Sequence, residues 1–466
     1  MLTERIKKQL ENIYQIYLSS GFDRAYYNDL TLSIIAWKAL SDYSIKDAKH
    51  FKSWTPPASE FLFDNVMKNN GEKINKNQVE QALKMWEWQN KHLLKGLLYI
   101  DNNNLVDMPD DVWQRICCEW VDFFRSIPYS GMTPNENVAG LIIDYLESGL
   151  SNAGFEIIHY TPKQLVEVMV NFLEEGERKS LYDPYCRSGD LLYSAAQKIK
   201  GLNKIKGRAL SRLPWKFANL RLIILNLSTE INIDTKVTFQ TEMKFDKILT
   251  NPPFGTYPHG YMLPELNSEW YHLVHKSNRI DMAYLCHSLD HLSNNGRAVV
   301  ILPSIFLSGQ GTIKELRKRI IEKNILEAII SLPSGIFPET GVSTTVFVFD
   351  MSRKSENVFM LDATNLSRKS GKQVYLDEEK INSYILRFKE ENYEGDKYAR
   401  ILSINSIKEH DWDLKFSSYD NNDNTFIKEL RSSVELAQDC MALENEIKKV
   451  QERLNKLLAN KKYPTQ

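Results

Sequence analysis

Between residues 180 and 364 the sequence alternates short β-rich runs with helical ones, and few folds accept that order. "SLYD", "FDKILT", "AVVILP", "ILEAIISLP", "TTVFVFD" and "NVFMLDA" are short and rich in apolar, β-branched and aromatic residues. "DLLYSAAQKI", "MAYLCHSLDHL" and "GTIKELRKRIIEK" instead repeat apolar residues at three- and four-residue spacing. Strand and helix in turn predict an α/β fold: a doubly wound, mainly parallel sheet with helices on its faces. Sheets of that kind bind ligands at the carboxyl ends of their strands. The residues that follow each run are therefore where chemistry is expected.

The flanks have other periods. "ERIKKQLENIYQIYL", "NDLTLSIIAWKALSD" and "NQVEQALKMWEWQNKHLLKGLLYI" are helical in pattern, and "SIPYSGMTPNENVAG" breaks the periodicity with Pro, Gly and Asn. With roughly 100 to 200 residues per domain as a guide, 466 residues suggest several units. The expected division is an α-helical domain over 1–135, the α/β domain over 136–365, an extension over 366–425 and a tail over 426–466. In the tail Leu436, Leu443, Val450 and Leu457 recur every seven residues, with Cys440, Ile447 and Leu454 offset by four. That pattern fits a helical hairpin, an inter-subunit coiled coil or an ordinary amphipathic core helix.

Composition removes several classes. Lys plus Arg (59) almost cancels Asp plus Glu (60), so any polyanion site must be a local patch. Two such patches are Lys198, Lys200, Lys204, Lys206 and Arg208, and Lys314, Arg317, Lys318 and Arg319; each could contact phosphate or be a solvated helix face. Five cysteines, Cys117, Cys118, Cys186, Cys286 and Cys440, without CxxC spacing indicate neither a disulfide framework nor a zinc knuckle. "CHSLDH" sets His287 and His291 four apart beside Cys286 and Asp290, and reads as an ordinary helix surface rather than a metal site. "SGQGT" lacks the following Lys of a phosphate loop. No run of about 18 apolar residues occurs, and the sequence predicts a cytoplasmic protein without a membrane partner.

"FDKILT" runs straight into Asn251, Pro252, Pro253 and Phe254. The prolines cannot donate to a sheet and fix φ, so the strand ends in a stiff loop at its carboxyl end. The Asn251 amide oxygen and the Pro252 carbonyl offer two acceptors, and Phe254 offers a flat ring. Two acceptors at one point suit an exocyclic amino group: bonding both hydrogens draws the lone pair out of ring conjugation and frees it to attack an electrophile. Such a group is out of reach inside a duplex, so its base would have to flip out.

With "HYTPKQLVEVMVNFLEEG", "LYDPYCRSGDLLYSAA", "FDKILTNPPFG", the run from "NNGRAVVILPSIF" to "STTVFVFD" and "EHDWDLKFSSY", the chain resembles the adenine-specific DNA methyltransferases with an Asn-Pro-Pro-Phe loop, most closely the modification subunits of type I restriction-modification systems. The resemblance implies a Rossmann-like methyltransferase domain that uses S-adenosylmethionine to methylate adenine in double-stranded DNA. It implies Asn251, Pro252, Pro253 and Phe254 as the catalytic loop. It implies Asp183, Pro184, Cys186, Ser188, Gly189 and Asp190 around the cofactor's methionine end, with Ile158, His159, Tyr160, Thr161, Pro162 and Lys163 lining the same pocket. Thr161-Pro162 with Gln164 also matches a helix-capping signature, as does Thr133-Pro134 with Glu136. The implied partners are DNA, a specificity subunit docked on the C-terminal helices, a second modification subunit and a nuclease subunit.

Three positions depart from the family's pattern. Its turn reads Asp-Pro-x-Cys-Gly-Ser/Thr-Gly-Gly; here Arg187 replaces the first glycine and Asp190 the last, and Ala209 stands where an acidic residue usually accepts ribose hydroxyls. The alternative is therefore a catalytically impaired methyltransferase-fold protein acting as a DNA-binding or scaffold subunit of a defence complex. A third class, methylation of a protein glutamine amide, usually has Tyr in place of Phe254 and lacks the heptad tail.

Overall fold

The structure, a computed structural model, describes residues 4–46, 55–68, 73–98, 108–127, 142–143, 145–146, 161–173, 180–224, 230–234, 243–257, 263–264, 266–337, 340–370, 373–390, 395–419 and 447–451. Eleven strands lie among these residues: β1 (Ser180–Asp183), β2 (Lys204–Arg208), β3 (Glu230–Asp234), β4 (Phe245–Thr250), β5 (Leu292–Pro303), β6 (Leu326–Ser331), β7 (Thr344–Asp350), β8 (Asn357–Asp362), β9 (Ser367–Ser370), β10 (Gln373–Leu376) and β11 (Ala399–Ser403). Nine form one sheet in the order β11-β8-β6-β7-β5-β4-β1-β2-β3, while β9 and β10 pair as a hairpin. The block from β3 to β5 is parallel. β7 runs antiparallel between β5 and β6, and β11 antiparallel beside β8.

The connections position the site. From β1 the chain steps outward to β2 and β3, then returns to lay β4 on the other side of β1. At that reversal the chain leaves β1 and β4 toward opposite sides of the sheet, and the crevice at their carboxyl ends is where an open α/β sheet takes its ligand. Both faces are covered, which explains the nearly continuous apolar runs of the central strands. Leu181, Leu249 and Val299 share a core with helices α5 (Lys163–Asn171) and α6 (Asp190–Lys198). Tyr182, Ile248 and Val300 face α8 (Ser268–Ser277), α9 (Ile280–Asp290) and α10 (Thr312–Glu322) on the other side.

The N-terminal region is helical, with α1 (Glu4–Ser19), α2 (Arg24–Lys46), α3 (Lys76–Gln89) and α4 (Asp110–Ser126) packed around buried Trp37, Trp86, Trp113 and Trp120. Its core continues into Phe217, Leu220 and Ile223 of α7 (Arg212–Ile224), whose Ala218 and Leu222 pack toward the sheet. One helix is thus apolar on two faces because it is covered on both. Lys216, fully buried on α7, donates to Asp29 Oδ1 at 2.8 Å and Ser33 Oγ at 2.7 Å. Burial pushes its pKa down and Asp29 pulls it back up, so the contact binds the helical region to the sheet only while the pair stays together.

Beyond residue 365 the chain adds β11 to the sheet and seats Ile381, Tyr384 and Ile385 of α11 (Glu378–Lys389) in its core. Of the heptad positions, Ile447 and Val450 are described, on a short helical stretch and exposed; the others, like the 135/136 boundary and the Thr133-Pro134 cap, lie outside the described residues. Among the described residues no helix is long and apolar enough to cross a membrane.

Candidate active site

Asp183 is the last residue of β1 and 1% exposed. Its Oδ1 accepts the Tyr185 N–H at 2.9 Å, while its Oδ2, buried, makes no hydrogen bond. Burial raises the carboxyl pKa to about 7, with the Tyr185 amide and the Thr250 hydroxyl pulling the other way. The turn that follows is tied down on both sides. The Cys186 N–H donates to the Arg208 carbonyl at 2.8 Å, and the Gly189 N–H to the Cys186 carbonyl at 2.7 Å. Gly189 has φ +79°, and a Cβ there would lie 3.0 Å from the Ala218 backbone, so α7 leaves room only for glycine. Pro184 and Ser188 are buried, and Asp190 opens α6, where a carboxylate suits the helix N-terminus.

Arg187, half-buried, adopts the left-handed conformation (φ +49°) that glycine takes without cost. Its side chain folds into the crevice rather than away from it. Nη2 donates to the main-chain carbonyl of Asn251 at 3.0 Å, and the guanidinium carbon sits 5.1 Å from the centroid of the Tyr185 ring.

Across the crevice, Asn251 leaves the end of β4 at 2% exposure. Its Nδ2 donates to Thr161 Oγ1 at 3.0 Å, which fixes the amide so that Oδ1, buried, is left without a partner. Pro252 is buried beside it, and Phe254 is half-buried with Phe337 packed edge-on at 6.2 Å. The far end of the loop is clamped to α9. Asp281 Oδ2 accepts the Gly255 N–H at 2.9 Å, and the Ile280 N–H donates to the Gly255 carbonyl at 2.9 Å. Arg279 holds the buried Asp281 carboxylate through Nε at 2.9 Å and Nη2 at 2.6 Å.

The structure therefore brings Thr161, the turn from Asp183 to Asp190 and the loop from Asn251 to Phe254 to one crevice, with Pro162 and Lys163 at the start of α5. Ile158, His159 and Tyr160 lie outside the described residues. Ala209 is buried directly after β2 and offers no carboxylate. Asp281, Arg279 and Phe337 were not singled out in the sequence. "NRIDMAY" does show an acid at a helix start, but nothing local says that it reaches back to residue 255.

Two surface readings need correction. The histidines are not on a helix surface: Cys286 and His287 are fully buried, His287 Nε2 lies 2.9 Å from the Tyr182 hydroxyl, and His291 Nδ1 lies 2.7 Å from the His287 carbonyl. α9 is covered by the sheet along that face. No group of three or more potential metal ligands occurs among the described residues. The second basic cluster is not a free solvated face either. Arg317 is 4% exposed and donates to the carbonyls of Trp412, Phe306 and Gly309, while Arg319 reaches the Glu269 carbonyl and Glu315.

The family model for the N-6 DNA methylases matches residues 144–426, more than half of the chain, and spans Thr161, the β1 turn and the β4 loop. The chain belongs to the N-6 DNA methylase family. It is similar to a type I restriction enzyme methylase subunit of Mycoplasma pneumoniae, 23% identical over 442 residues that cover 85% of this chain and 79% of that one. A type I methylase subunit of Escherichia coli is 25% identical over 241 residues, 48% of each chain. The crystal structure of a type I restriction-modification methyltransferase subunit from Streptococcus thermophilus shares the fold, with a TM-score of 0.72 at 18% identity, over 90% of this chain and 99% of that one. Methyltransferase fold and family together imply use of S-adenosylmethionine. The residues fit its amino-acid end, where the buried Asp183 carboxyl suits an ammonium; at the ribose end, Ala209 supplies no acceptor.

Proposed function

We propose that the protein is the modification subunit of a type I restriction-modification system and methylates the exocyclic amino group of adenine in double-stranded DNA. The observation that carries this reading is the Asn251 amide: oriented by Thr161, its oxygen is buried, unpartnered and held at the crevice by a loop stiffened with two prolines. A buried acceptor without a partner costs about 1 to 3 kcal/mol, a cost recovered when a donor arrives. The Asn251 oxygen and the Pro252 carbonyl accept the two amino hydrogens of a flipped adenine, and Phe254, braced by Phe337, supplies a face for the base. Thr161 and Asp281 keep both acceptors in place. Asp183 and the backbone of the turn to Gly189 receive the methionine end of S-adenosylmethionine. When bound, that cofactor would supply an electrophilic methyl group for the amino nitrogen, which gives up one hydrogen as a proton.

Target recognition falls to a specificity subunit, because too few residues separate Phe254 from α9, and the segment after residue 365 is spent on the sheet edge. The heptad-bearing tail is its dock, and a second modification subunit and a nuclease subunit complete the assembly, in the cytoplasm. A second reading, a methyltransferase-fold scaffold without turnover, is favoured by Arg187 and Ala209. Expression with the cognate specificity subunit in a host free of adenine methylation, followed by single-molecule sequencing, separates the two. N6-methyladenine at one sequence motif is expected; an unmodified genome beside a stable DNA-bound complex would leave the scaffold.

A further inference from the structure

Arg187 reaches into the crevice without a part in the chemistry of the loop. It keeps a left-handed backbone that a residue with a Cβ rarely adopts. Its guanidinium is held in place, braced by Tyr185 and bonded to the Asn251 carbonyl through Nη2. Guanidinium has five donors in a planar fork that matches a carboxylate, and that one bond leaves others available. At the start of the same turn the Asp183 carboxyl is buried, with one oxygen that takes no backbone donor and the Thr250 hydroxyl beside it. The two side chains are near enough for the Arg187 charge to act on Asp183. A cation that can bind an anion, beside a carboxyl that can bind a cation, is the complement of an α-amino acid zwitterion.

We propose that Arg187 binds the α-carboxylate of the cofactor's methionyl end while Asp183 receives its α-ammonium, an ionic grip in place of a glycine-rich turn. The proposal rests on the reading that the crevice takes S-adenosylmethionine. It also links the two loops, since the guanidinium that binds the carboxylate is the one that donates to Asn251.

Calorimetric titration of the full-length protein and of Arg187→Gly and Arg187→Lys with two ligands tests this. S-adenosylhomocysteine has the amino-acid end; 5′-methylthioadenosine lacks it. A charge-assisted hydrogen bond contributes about 1.5 to 3 kcal/mol, so Arg187→Gly should weaken S-adenosylhomocysteine roughly 10- to 100-fold and leave methylthioadenosine within about twofold, with Arg187→Lys between. Glycine suits φ +49°, so the variant should fold, and its thermal midpoint checks that. Equal or tighter binding of S-adenosylhomocysteine by Arg187→Gly would overturn the proposal; a gain for both ligands would make Arg187 a plug. If neither the natural protein nor the variants bind either ligand, the cofactor reading itself falls, and the proposal with it.

Discussion

The loop after β4 and the turn after β1 face each other across one crevice, yet they are held by different means. The β4 loop is stiff covalently, through Pro252 and Pro253, and both of its ends are anchored by side chains from elsewhere, Thr161 at Asn251 and Asp281 at Gly255. The β1 turn keeps one indispensable glycine, Gly189, and is otherwise held by backbone bonds, by Arg221 Nη1 donating to the Ser188 carbonyl at 3.2 Å and by the Arg187 side chain. Where glycine normally lets backbone approach a ligand, this chain presents a cation. On the proposed reading, one side keeps the geometry for a target amino group, while the other sets a cation where the family's turn has glycine.

Five measurements would break or sharpen that contrast. The largest effect belongs to the loop. Asn251→Ala removes a preorganised acceptor and should lower the single-turnover methylation rate about 10³-fold while changing S-adenosylhomocysteine affinity less than about threefold. Equal losses in both would erase the distinction between the two sides. Next, Asp281→Ala strips a buried carboxylate from Arg279 and from the Gly255 N–H, and should cost about 3 kcal/mol in a denaturant titration. On the turn, Gly189→Ala places a Cβ against Ala218 at positive φ and should cost about 2 kcal/mol by the same titration.

The fourth effect is pH-dependent. With the Asp183 pKa raised to about 7, the free protein holds a proton there at pH 6 that must leave before an ammonium can be received. S-adenosylhomocysteine binding should tighten up to about tenfold from pH 6 to 8, and Asp183→Asn should flatten the profile. Stability runs the opposite way. A carboxyl raised in the folded state contributes fully below its unfolded pKa near 4, and that contribution is lost as pH rises through 7. The smallest effect is Thr161→Val, which frees the Asn251 amide to rotate; losing one neutral hydrogen bond of about 1 kcal/mol predicts a rate about fivefold lower with cofactor affinity unchanged.

The sequence made the central sheet legible because each strand from "SLYD" to "NVFMLDA" states its own burial. β2 was less so: "KIKGR" alternates lysines through a strand that lies next to the sheet's edge, and apolar pattern fades there. The position of the β4 loop could be read from two prolines after an apolar run. Its anchors could not, since Thr161 and Asp281 are 90 and 26 residues from their partners and meet them only through the chain reversal at β1. The charge pattern of "KELRKR" was misleading for the same reason, because Arg317 is spent on carbonyls from other segments. That Arg187 turns inward is likewise a matter of tertiary geometry, fixed by a carbonyl 64 residues away.

Label transfer from S-adenosylmethionine carrying a tritiated methyl group, to unmethylated double-stranded DNA in the presence of the cognate specificity subunit, tests the central claim most directly. The account predicts label on adenine N6 with the natural protein and about 10³-fold less with Asn251→Ala. Label that survives Asn251→Ala undiminished, or none with a natural protein that binds the cofactor, would contradict it.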